Sequence, residues 1–127
     1  MDQPESLNIL AVLIGTVVAF LFGWLIYSPK VFGVKWAEGS GVKLGDASSM
    51  PVFAMIAQLV ALLLLALVIG VTATTSALGT AILAILAAAA FVVSSGAFVK
   101  KSNYALAVDG GYVVGSGAIM ILAQGLL

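Results

Sequence analysis

The chain contains no cysteine and no histidine, and all five of its basic residues are lysine, so arginine is absent too. Those gaps remove disulfides, thiol nucleophiles, Cys/His metal centres and axial haem ligation. Ser-His-Asp hydrolysis lacks its base. No guanidinium fork exists to grip a phosphate. Charge of either sign is scarce: 8% of the 127 residues, where soluble domains carry roughly 25%. A net charge of zero argues against nucleic acid as a partner and against strong attachment to anionic surfaces. Neither a cofactor nor a metal is expected. With a single acid inside its apolar regions and no histidine, the chain does not read as an enzyme.

What is present is apolar. Hydrophobic residues make up 63% of the chain and mean hydropathy is +1.26. Four stretches stand out, at about residues 7–27, 51–70, 80–99 and 104–126. Each is close to the ~20 residues a helix needs to cross about 30 Å of hydrocarbon. A spanning segment must satisfy its own backbone in lipid, so helices follow, and alternating barrel strands are not seen. The first stretch is not expected to be a cleaved signal peptide, because Met1 to Ser6 is acidic where such peptides are basic. The reading is an all-α integral membrane protein, one four-helix transmembrane domain over residues 1–127.

The lysines orient it. Lys30, Lys35 and Lys43 fall in the loop 28–50, and Lys100 and Lys101 in the loop before the fourth span. The loop near 71–79 and the C-terminus carry no charge. All five lysines therefore lie on one side, which the positive-inside rule makes cytoplasmic, with both termini outside. Within loop 28–50, Pro29 is suited to open a short interfacial helix, with Phe32 and Trp36 on one face. Trp24, Tyr27, Phe32, Trp36, Lys100 and Lys101 are read as interface anchors. Residues 39–46 read as a flexible linker, and Ser48 or Ser49 as the cap of the next helix.

Asp109 is the one ionisable side chain well inside a span. A charge there costs about 2.5–3.5 kcal/mol by insertion scales, so it should face the protein interior. The rise per residue puts Asp109 about 9 Å and Gln58 about 10 Å below the lysine side, with Ser94 and Ser95 at similar depth. Tyr112, three residues on, is placed to donate its hydroxyl to the carboxylate. These five form a candidate intramembrane polar cluster. Asp109 has two readings: a structural lock closed by a lysine, or a site for an ion or solute. Gln58 and the serines read first as interhelical glue and only second as ligands.

Small residues mark where helices can approach. Gly15, Ala19 and Gly23 repeat every four residues on the first span, and Gly111 and Gly115 form a GxxxG on the fourth. Close approach of this kind drives helix association in lipid. Such faces serve packing within one chain or between chains.

Two segments carry a resemblance. Gly23-Trp24, Tyr27-Ser28-Pro29, Phe32-Gly33 and Trp36 close the first span, and Asp109-Gly110-Gly111-Tyr112 opens the fourth. In order and spacing the chain resembles the small bacterial membrane family known as domain of unknown function 1761. It departs from it in Leu25-Ile26, inserted between Trp and Tyr, and in Gly110, where the family's Asp-Ala-Gly-Tyr has alanine. The resemblance implies a four-helix fold in a bacterial inner membrane, and no established activity. Small multidrug transporters, of similar length, need a first-helix glutamate that is missing here. The leading functional reading is a helix-packing module, a homo-oligomer or an accessory subunit of a larger membrane complex, whose partners are the bilayer and itself or other membrane subunits. The alternative is a small transporter or channel binding a proton, cation or cationic solute at Asp109, assisted by Gln58, Ser95 and Tyr112.

Overall fold

A computed structural model describes residues 7–42 and 52–127, and the described residues are helical with no strand. Five helices follow in order: α1 Ile9–Ile26, α2 Gly33–Ser40, α3 Val52–Ala73, α4 Leu78–Phe98 and α5 Asn103–Leu126. Four of them, all but α2, are long and apolar enough to cross a membrane. Expectations for the acidic N-terminus, for residues 43–46 of the linker and for the Ser48/Ser49 cap lie outside the described residues.

Local chemistry sets the helix ends. Asn8 caps α1 by accepting from the Ala11 amide at 3.0 Å, and Ser102 caps α5 by accepting from that of Ala105 at 3.1 Å. Helix α2 ends in a left-handed Gly41, whose amide and that of Val42 return to Glu38 and Ala37. The same two-bond closure ends α4, with Lys100 at φ 64° and the Lys101 amide on the Gly96 carbonyl at 3.1 Å. The short helix starts later than Pro29 suggested. Residues 27–33 form a tight turn in which the Gly33 amide donates to the Ser28 carbonyl at 2.8 Å. Gly39 and Ser40, read as linker, belong to the last turn of α2.

Helix α5 is the hub and packs against every other helix. Around it α1, α3 and α4 complete the bundle, and α2 lies against α5 near its N-terminus. The core joins small and medium side chains: Val12 and Ala19 from α1, Leu62, Ala66 and Ile69 from α3, Ala81 and Ile85 from α4, Tyr112 and Met120 from α5. Most of the large apolar residues are outside, with Phe53, Phe91 and Phe98 exposed by 83%, 76% and 86%. Water would not tolerate such a surface. Lipid gives little reward for burying a large side chain, so helices gain instead by fitting closely through small ones.

The small-residue stripe of α1 does this. Gly15 faces Met120 and Ala123, Ala19 is fully buried, and a Cβ on Gly23 would sit 2.9 Å from the Tyr112 ring. The fourth-span GxxxG is divided. Gly115 lies under the Phe22 ring, whereas Gly111 has nothing within 4 Å. Gly110 and Gly117 take the close contacts to α4, against Val93 and Ile85. The reason is angular: at about 100° per residue, Gly111 lies about 200° round the helix from Asp109. It points outward, not along the face that buries the carboxylate.

Candidate functional site

Asp109 sits two turns into α5 with 7% of its surface exposed. Three segments converge on it. Tyr27, at the end of α1, donates its hydroxyl to Oδ1 at 2.5 Å, and Trp36 of α2 donates its indole N–H to the same oxygen at 2.8 Å. Lys101, from the α4–α5 turn, folds its side chain down to Oδ2, with Nζ at 2.6 Å. The buried charge is thereby balanced and about three of its four lone-pair positions are filled.

The donors brace one another. The Tyr27 and Trp36 rings meet edge to face at 4.9 Å, and the Lys101 ammonium lies 5.3 Å from the Trp36 ring centre. Ser102 donates its backbone amide to the Gly39 carbonyl at 2.9 Å, tying α2 to the start of α5. Outside this knot, Lys35 lies over Tyr104, which also packs on Phe32.

A second polar layer lies one turn deeper, at Tyr112. Its hydroxyl does not reach Asp109 as the i, i+3 spacing suggested. It donates to the Ala19 carbonyl at 3.2 Å and accepts from the Gln58 amide at 3.2 Å. The missing side chain at Gly23 makes room for the ring, and Tyr27 and Phe22 flank it at 5.6 and 5.8 Å. Gln58 therefore joins the cluster through Tyr112 and not through the carboxylate. Ser94 and Ser95 do not join it by hydrogen bonds; both are on the exposed side of α4. The depth estimate said nothing about their direction, because a rise per residue carries no angle.

The anchors separate into two groups. Trp24 is 65% exposed and Phe32 39%, and Lys100 points outward in its left-handed turn. Tyr27, Trp36 and Lys101 instead turn inward onto Asp109. Aromatic and lysine side chains at a membrane interface have the same composition whether they face lipid or cover a carboxylate. As to chemistry, a single carboxylate already engaged by three donors has about one lone-pair position left for a metal ion. Among the described residues no three His, Cys, Asp or Glu side chains gather to hold an ion.

The segments that meet here are the two on which the family resemblance rests. The model of a family described as a protein of unknown function (DUF1761) matches residues 10–125, nearly the whole chain. This chain belongs to the DUF1761 family. Searches of curated proteins and of solved structures returned no match. Within this DUF1761 chain, the motif at the end of α1 and the motif in α5 supply donor and acceptor of one cluster. Their pairing was the available signal that Tyr27 and Trp36 belonged with Asp109.

Proposed function

We propose that this chain is a non-enzymatic multi-pass membrane module, in which Asp109 locks the fold and the outer helix faces associate with further copies or with other membrane subunits. The observation that carries the lock is the set of three donors on Asp109, brought from α1, α2 and the α4–α5 turn. A carrier site needs a carboxylate whose counter-charge is the cargo; here the counter-charge is the chain's own Lys101. The association face is the outward stripe of α5, where Ala107, Gly111, Ala118 and Gly125 are exposed on one side.

The assembly is tested by size. Gly111→Leu is expected to break the complex into smaller species in native mass spectrometry while leaving the bundle folded, because no described residue lies within 4 Å of that position. Gly115→Leu, which strikes the Phe22 ring, should lower the melting temperature instead. An unchanged complex size in Gly111→Leu would exclude this face.

We further place the lysine-bearing end in the cytoplasm of a bacterial inner membrane, with both termini outside and α2 in the interface. Single cysteines at Val42 and Thr75, both exposed, should label from opposite sides, Thr75 from the periplasm. Labelling of Val42 from the periplasm would invert the topology.

The transporter reading has one observation in its favour, a lateral groove that reaches Asp109. On that reading Asp109→Asn leaves a stable protein that has lost proton- or cation-dependent flux.

A further inference from the structure

Between α4 and α5 a groove of about 380 Å³ opens sideways, lined by Phe91, Val92, Ser95, Val99, Lys101 and Asp109 among others. Its walls are apolar and lipid-facing: Phe91 and Val99 are exposed by 76% and 71%. Its floor is the ion pair. At 24 residues α5 is about 36 Å long, exceeding the ~30 Å of hydrocarbon; with the lysine-bearing end at the headgroups, as proposed above, the pair lies just beneath them.

The pair is neutral as a unit but not saturated. Lys101 has three N–H donors and gives one to Asp109; Asp109 keeps about one acceptor position. A simple anion drawn to Lys101 meets the Asp109 charge, and a simple cation meets the reverse. A molecule with a phosphate and a primary ammonium a few bonds apart satisfies both. Its ammonium can donate to Asp109 and to the exposed hydroxyl of Ser95, its phosphate can accept from Lys101, and an acyl chain can follow Phe91 and Val92.

We propose that this groove is a binding site for a zwitterionic phospholipid bearing a primary ammonium, of the phosphatidylethanolamine class. The inference goes beyond the module reading. It requires the Lys101–Asp109 pair to be made, and it does not require any particular assembly.

The test uses the purified full chain in nonionic detergent, with phosphatidylethanolamine, phosphatidylcholine and phosphatidylglycerol of identical acyl chains, read by native mass spectrometry. Retention of the ethanolamine lipid should exceed that of the choline lipid about tenfold, since a trimethylated ammonium cannot donate the charge-assisted bonds. Ser95→Leu, which fills the groove from an exposed position, should bring the two to equality with the lipid-free melting temperature unchanged. Val92→Trp blocks the same groove and serves if Ser95→Leu does not fold. Equal retention of ethanolamine and choline lipids would overturn the proposal. So would preference for the glycerol lipid, or selectivity that survives in both variants. Complex size is read from the same spectra, so a failure of lipid selectivity is distinguishable from a failure of assembly.

Discussion

Asp109→Asn is expected to destabilise the folded chain by about 3 kcal/mol, the lower end of the range for breaking a buried ion pair. The lower end applies because the Lys101 side chain keeps 23% of its surface exposed and recovers some hydration. Asn retains a carbonyl oxygen that Tyr27 and Trp36 can still address. Its amide, however, faces the Lys101 ammonium in place of Oδ2, donor against donor. Lys101→Met leaves the converse fault, a carboxylate with two neutral donors and no counter-charge. The two changes together should cost less than their sum, with a coupling of about 1–3 kcal/mol. Thermal unfolding in one detergent measures all four proteins. An Asp109→Asn protein as stable as the parent would sink the lock and move the weight to transport.

Gly33→Ala is expected to do comparable damage with one methyl group. A Cβ at Gly33 would overlap the Tyr27 carbonyl oxygen and stand 2.6 Å from that of Ser28. Both are backbone atoms of the tight turn and neither can rotate away, so overpacking here belongs near the top of its usual range, about 3 kcal/mol. The turn must open, and with it go the positions of Tyr27 and Trp36. In a Trp24→Phe background the remaining Trp36 should show red-shifted emission as it leaves Asp109. Gly41→Ala supplies the contrast. Its φ of 73° disfavours a side chain but no described residue lies within 4 Å, so it should cost only about 1 kcal/mol with emission unchanged. Identical spectra for Gly33→Ala and the parent would show that the turn does not place Trp36.

Much of the cluster could be read without coordinates. Asp109 had to be buried, because a lone charge in an apolar run has no cheaper place. The stripe Gly15, Ala19 and Gly23 had to meet a helix, and it meets α5. Gln58 and Tyr112 share a layer because depth follows from residue count. The failures have a common cause. Tyr27 and Trp36 were assigned to the lipid interface, and Tyr112, Ser94 and Ser95 to the cluster with Asp109. Each error concerns the direction of a side chain around a helix or a turn.

The apolar pattern by itself determined the number of helices long enough to span a membrane and their ends to within about three residues, since the cost of exposing backbone in lipid favours helices. It also led to the expectation that all five lysines lie on one side with Asp109 nearest it; among the described residues, Lys101 does reach Asp109. Only the tertiary structure decided what closes over Asp109. The turn 27–33 rotates α2 against α5, and the α4–α5 turn sends Lys101 downward. Those choices depend on backbone torsions at a few residues and on which face of α5 meets α1. Neither quantity is written in hydropathy, which measures how deep a residue lies and not which way it looks.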